Sequence, residues 1–299
     1  MGVKVAVIQA GSIPFQPGPC LEKAVRLTGE AADAGARFAL FPEAFLSGYP
    51  KGLDFGARVG VRTPEGRAEF RRYWESAIDV PGPATAALGE ACARHGIHVA
   101  IGVVERDGGT LYCTVLFFGA DGALLAKHRK LMPTAVERLV WGFGDGSTLP
   151  VVETPAGRAG AVICWENYMP LLRTAMYAKG IELYCAPTVD DRETWQPTMR
   201  HIALEGRCFV LSACQYVPEG ATAAIRGGSV IVGPLGDVLA GPVYGEEAIL
   251  TAEVDLGRIV EGKFDLDVTG HYARPDVFRL VVDERRREAV AWAGGDSDS

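Results

Sequence analysis

An α/β fold with mixed sheets is predicted by three observations. Helical and strand periodicities alternate in three rounds along the chain, tight Asp-Gly turns at Asp107-Gly108-Gly109 and Asp121-Gly122 insert hairpins between them, and beyond Gly227 the pattern shortens to strands parted by Pro and Gly. Each element follows in order. Val3 to Gln9 is β-rich, Cys20 to Ala34 spaces its apolar residues along one helical face up to Gly35, and Phe38 to Phe41 is a short buried strand, making a β-α-β unit. Pro83 to His95 is a second helix, ended by Gly96. Strands Ile97 to Glu105, Leu111 to Phe118 and Ala123 to Lys130 follow, joined by the two turns. The third round is strand Ala159 to Ile163, helix Pro170 to Lys179 opened by Pro and closed by Gly180, strand Ile181 to Ala186, helix Gln196 to Gly206 and strand Cys208 to Ala213. Short strands Ser229 to Val232, Asp237 to Ala240 and Ala248 to Val254 read as an antiparallel finish to the second sheet.

With 299 residues, 48% of them hydrophobic, the chain can bury its own core without disulfides or metal. We expect one domain over residues 1–282 and a C-terminal tail over 283–299, partly disordered, with the polar run from Gly294 as its disordered end. A formal net charge of -7 and scattered basic residues argue against nucleic acid or an anionic membrane as partner. The N-terminus runs straight into a strand with no apolar leader, and no apolar run reaches the ~18 residues of a membrane helix. The expected location is therefore the cytoplasm. Seven cysteines, an odd number with no C-x-x-C pair, fit neither a disulfide framework nor a zinc ribbon, so most are expected to be small core residues.

Three apolar strands each end on a polar residue foreign to a core: Phe38-Ala39-Leu40-Phe41-Pro42-Glu43, Leu124 to Lys130, and Ala161-Val162-Ile163-Cys164. Ligands of open α/β sheets bind beyond the carboxyl ends of strands, where these three side chains would converge. The residue types suit one another. A thiol with a pKa near ~8.5 needs a base to take its proton and a cation to steady the thiolate, roles open to Glu43 and Lys130. Negative charge formed by addition to a carbon–nitrogen bond would fall to Lys130 and the Trp165 amide.

Phe41-Pro42-Glu43, His128-Arg129-Lys130-Leu131-Met132-Pro133-Thr134 and Cys164-Trp165-Glu166-Asn167 resemble, in order, the three signature blocks of the nitrilase superfamily. Further similarity runs through Glu137-Arg138, Trp141 to Gly146, Arg192 to Trp195, His201 to Gly206, Gly270-His271-Tyr272 and Arg274-Pro275-Asp276. These added blocks are similar to true nitrilases rather than aliphatic amidases, within the branch of plant and bacterial arylacetonitrile or cyanoalanine enzymes. The resemblance implies a four-layer α-β-β-α sandwich of two mixed sheets covered by helices. It implies a Glu43, Lys130, Cys164 triad, with Glu137 as a second carboxylate that positions substrate or Lys130. It implies no cofactor and no metal, and self-association into dimers and larger spirals.

The expected activity is hydrolysis of an organic nitrile, aryl or arylaliphatic, to the acid and ammonia through a cysteine thioimidate and thioester. Tyr49, Trp165, Thr188 and Trp195 are the expected substrate-binding residues. Two other readings stand beside it: an amidase or carbamoylase using the same triad, and an idle assembly subunit. In isolation a cysteine after a Val-Ile strand is more often an inert core thiol, and Glu43 and Lys130 more often surface charges. Their joint context is what makes them catalytic. His128, on the same strand face as Lys130, invites a Cys-His pairing, but the carboxylate and lysine already fill those roles and a partly buried structural histidine is the commoner case, while Glu166 reads as a strut for the nucleophile turn.

Overall fold

The computed structural model describes residues 2–221, 223–287 and 290. Strand β1 (Val3–Gln9), helix α1 (Pro17–Asp33) and β2 (Phe38–Leu40) form the opening unit, with β1 and β2 parallel. Helix α2 (Pro64–Ser76) leads to β3 (Ile78–Asp79), α3 (Pro83–His95), and the antiparallel meander β4 (His98–Asp107), β5 (Thr110–Phe118), β6 (Leu124–Arg129). The second half runs β7 (Ala159–Ala161), α4 (Pro170–Ala178), β8 (Leu183–Cys185), α5 (Trp195–Gly206), β9 (Phe209–Ser212), β10 (Tyr216–Val217), β11 (Ile225–Val232), β12 (Val238–Tyr244), β13 (Ala248–Val254) and α6 (Gly257–Asp265).

The first sheet has the order β13-β1-β2-β4-β5-β6 with β3 on β4, and the second β10-β11-β9-β8-β7 with β12 on β11. Alternation along the strands sorts their side chains into three apolar clusters. Val5 and Val7 face Leu183, Cys185, Phe209 and Leu211 between the sheets. Ala6 and Ile8 turn the other way, onto Cys20, Ala24 and Leu27 of α1 and Leu88 and Cys92 of α3. Tyr184 and Val210 turn outward from the second sheet onto Leu172 and Met176 of α4 and Met199 and Ile202 of α5. The result is the α-β-β-α sandwich that the sequence led us to expect.

One expectation is corrected and two helices are added. Ala248–Val254 does not finish the second sheet: β13 lies antiparallel to β1, Val3 opposite Val254, and closes the edge of the first. Turn residues show that a strand is there but not which edge is free to take it. Helices α2 and α6 went unread, because α2 buries only Gly66, Tyr73 and Ser76, and α6 only Ile259 and Gly262, too few to print a stripe. Exposed residues at the start of the tail touch the body at two points, where the Arg287 amide donates to Asp145 at 3.0 Å and Glu284 pairs with Lys179. The disordered end expected from Gly294 lies outside the described residues. Among the described residues no helix is long and apolar enough to cross a membrane.

Candidate active site

Three strand ends meet where the sheets face each other. Glu43 follows β2 on a turn that passes hard against β4, where a Cβ on Gly102 would stand 2.3 Å from the Pro42 carbonyl and 2.7 Å from the Glu43 Cα. Only glycine admits that approach. The Glu43 carbonyl is held by the Gln215 side chain at 2.7 Å, from the second sheet. Lys130 follows β6, its amide donating to the Cys113 carbonyl of β5 at 2.8 Å. Cys164 sits just past β7 with φ of 49°, in the left-handed region that a non-glycine residue enters at a cost of about 1–3 kcal/mol. Its turn is secured by the Asn167 side chain, which donates to the Val162 and Cys164 carbonyls at 2.8 and 2.7 Å.

Lys130 Nζ donates to Glu43 Oε1 at 2.7 Å and to Glu137 Oε2 at 2.8 Å. Glu137 lies on a 310 turn, Ala135–Leu139, whose Oε2 also caps the Thr134 amide at 2.6 Å while Oε1 accepts the Tyr49 hydroxyl at 2.6 Å. Thus one ammonium is shared by two carboxylates, and the second carboxylate is oriented by a phenol. Glu43 Oε1 accepts in addition the Cys113 thiol at 3.5 Å, and its Oε2 makes no hydrogen bond in this geometry. The charge of Glu43 bears on the buried Cys164 thiol. The nucleophile has one further neighbour. Thr188 Oγ1 lies 3.2 Å from Cys164 Sγ and accepts the Asp190 amide at 2.9 Å, so its own proton is directed at sulfur.

Burial governs the protonation states. It pushes the Glu43 carboxyl above the ordinary carboxylate value, with Lys130 opposing and Glu137 adding to the rise. It pushes the Cys164 thiol well up, Glu43 adding to this and Lys130 and Thr188 opposing. Burial pulls against the Lys130 ammonium, but the carboxylates of Glu43 and Glu137 oppose it and the charged form is held well above its usual range. The resting site therefore contains a thiol, an ammonium and a carboxylate of raised basicity, the arrangement in which a base takes the thiol proton as attack begins.

The expected substrate-binding residues divide. Tyr49 lines a cavity of about 410 Å³ together with Leu53, Phe55, Glu137, Val140 and Trp141, the ring of Tyr49 lying edge-on to Trp141 at 5.7 Å. Trp165 is 41% exposed beside the nucleophile, its indole N–H donating to Asp190 at 2.9 Å and Arg192 stacked on its face at 4.6 Å. Thr188 is wholly buried and meets the nucleophile rather than open space. Trp195 does not line that cavity. It is 1% exposed at the start of α5, donating to the Ser212 hydroxyl at 2.9 Å within the core between helix and sheet. Its aromatic size suggested a pocket wall, whereas its place on an inward helical face made it filling. His128 bonds Glu166 and the Thr148 carbonyl rather than Cys164. Cys113 was missed, because an inward cysteine on β5 looks in sequence like any other core thiol.

A family model described as carbon-nitrogen hydrolase matches residues 4–264. The chain is 59% identical to the aliphatic nitrilase of Sinorhizobium fredii over 96% of this chain and 97% of that protein. It is 54% identical to the bifunctional nitrilase/nitrile hydratase NIT4A of Lupinus angustifolius, over 97% of this chain and 88% of that protein. Among solved structures, Saccharomyces cerevisiae Nit3, a member of branch 10 of the nitrilase superfamily, shares the fold with a TM-score of 0.74 at 24% identity, over 90% of this chain and 96% of that one.

Proposed function

The chain belongs to the carbon-nitrogen hydrolase family and is a nitrilase-type hydrolase, and from that premise we propose that it converts arylaliphatic nitriles to carboxylic acid and ammonia through Cys164. The observation that carries the mechanism is the shared contact of Lys130 with Glu43 and Glu137 beside a buried thiol. Glu43 takes the Cys164 proton as sulfur adds to the nitrile carbon, and the nitrile nitrogen, protonated in turn, gives a thioimidate. Water activated by Glu43 adds to that carbon. The tetrahedral centre expels ammonia to leave a thioester, and a second water releases the acid and restores the thiol, two waters being consumed for each nitrile. Lys130 and the Trp165 amide hold the negative charge of each addition.

Glu137 sets the product. A carboxylate beside the tetrahedral centre favours nitrogen leaving as ammonium over sulfur leaving as thiolate, so the acid prevails over the amide. A lupin relative named for both nitrilase and nitrile hydratase activity makes this partition worth measuring here. Tyr49, Phe55 and Trp141 in the cavity support an aromatic group on the substrate, and the Sinorhizobium relative, named for aliphatic nitriles, supplies the contrary case. The seven free cysteines suit a reducing compartment, the cytoplasm. Twofold self-association is part of the same proposal.

A panel of phenylacetonitrile, cyanoalanine, a short aliphatic nitrile and the matching amides tests the reading. Arylaliphatic nitriles are expected to show the highest kcat/KM. Preference for the aliphatic nitrile would overturn the aromatic assignment alone, and turnover restricted to amides would overturn nitrile hydrolysis.

A further inference from the structure

His128 and Glu166 belong to the signature blocks, yet neither has a part in the chemistry just described. His128 is fully buried at the end of β6, two residues before Lys130. Its Nδ1 lies 2.6 Å from the Thr148 carbonyl oxygen and its Nε2 lies 2.9 Å from Glu166 Oε2. A carbonyl oxygen can only accept, so Nδ1 carries hydrogen. Glu166 is likewise occupied as an acceptor: Oε1 takes the Leu131 amide at 2.6 Å, and Oε2 takes the Ile163 amide at 2.8 Å. Each carboxylate oxygen thus already receives a backbone N–H. A neutral His128 would then turn a lone pair on that oxygen in a closed site, so a proton must sit at Nε2 as well.

We propose that His128 is held as an imidazolium whose ion pair with Glu166 clamps the nucleophile turn to the strand end that carries Lys130. The clamp works through neighbours. Leu131 follows Lys130 on the first sheet, Ile163 precedes Cys164 on the second, and one carboxylate bonds both amides. The spacing of cation and nucleophile across the two sheets is thereby set by a group that touches neither. His128 and Glu166 are positioning residues for the site proposed above.

The surroundings are consistent with a retained proton. Glu166 faces His128 from the nucleophile turn, the Thr148 carbonyl faces it from the turn 146–148, and across β5 its partner is the apolar Val115. Behind Glu166 stand Tyr184, whose phenol burial pushes well above its ordinary value, and Arg173, committed to Glu205 and to the Asn167 carbonyl. Burial by itself would pull the His128 imidazole down, but Glu166 and the Thr148 carbonyl outweigh it and leave it raised. The sign follows: the clamp's contribution is complete below the unfolded imidazole value of ~6.5 and is lost as pH rises through the raised folded value.

Magic-angle-spinning NMR of the full chain with 15N-labelled histidine tests the proton directly and at any oligomer size. At about pH 8.5, some two units above the ordinary imidazole value, one of the five histidines is expected to show both ring nitrogens protonated. That signal should survive single replacement of His95, His98, His201 and His271, which places it on His128 even if no His128 variant folds. Five neutral rings would overturn the proposal, whatever the substrate proves to be. In folded His128→Gln, kcat per titrated Cys164 should fall by about 10², the scale of a misplacement near 1 Å, with KM little changed. A full kcat per titrated site would overturn the positioning role, whereas a merely structural role would lower only the number of active sites.

Discussion

The two sheets contribute unlike things to the site. The first supplies charge: Glu43 after β2 and Lys130 after β6 are both buried and already paired with each other, and Glu137 on the following turn completes the set. The second supplies a neutral group, the Cys164 thiol, with the Thr188 hydroxyl beside it. A buried charge without a partner costs several kcal/mol, so the charges are compensated by residues near one sheet's end, while the group that must cross the gap arrives uncharged. Between the reacting groups themselves, charge separation across the sheets is created only as the reaction begins. Substitutions on the two sides should therefore fail differently, the second side losing chemistry and the first losing chemistry and stability together.

The largest effect on turnover is expected for Cys164→Ser, which should cost about 10⁴-fold or more in kcat, as loss of a nucleophile does. Its thermal midpoint should stay close to that of the parent, because one neutral buried group replaces another. A large fall in midpoint would break the contrast between the sheets. Lys130→Met should also abolish turnover, and in addition destabilise the fold by about 3–5 kcal/mol, the usual consequence of removing one partner of a buried pair. Glu43 and Glu137 would be left facing each other. The folded pKa of Glu43, already raised by burial and by Glu137, would lose the opposition of Lys130, so the stability loss should be small at acid pH and grow as pH rises from the unfolded carboxylate range towards the raised folded value. Denaturation of both proteins across that range checks it, and a pH-independent loss would show that the two carboxylates do not sense each other.

Glu137→Gln keeps the size but not the charge, and should lower kcat by about 10- to 100-fold, the scale of a general acid–base or orienting contact. The amide share of the product should rise. An unchanged acid-to-amide ratio would remove Glu137 from the partition and leave it the orienter of Lys130. The smallest effect on turnover belongs to Thr188→Val, which is nearly isosteric and removes the hydrogen bond to sulfur together with the acceptor of the Asp190 amide. A bond of that kind is worth about 1.4 kcal/mol, or about one pKa unit on the Cys164 thiol. Iodoacetamide labelling against pH should shift upward by that amount, and an unmoved profile would mean that Lys130 alone steadies the thiolate.

Much of this was legible from local pattern. Glu43, Lys130 and Cys164 stood out because each ends an apolar strand with a group that a core rejects, and Glu166 because it follows the nucleophile so closely. Strands such as β1 and helices such as α3 declared themselves through period and through Pro and Gly at their ends, features that neighbours in the chain determine. What the tertiary structure decided lies at long separation. It chose the first sheet's edge for β13, since strand periodicity names a buried face but no partner. It put Trp195 in the core and Thr188 against sulfur, since a large or polar side chain does not encode which surface will cover it. Glu43 meets Lys130 across 87 residues, and His128 meets Glu166 across 38, because the packing of two sheets brings their strand ends into one dry space. The sequence determined by itself which groups were costly to bury, and the packed sheets determined which of them would compensate one another.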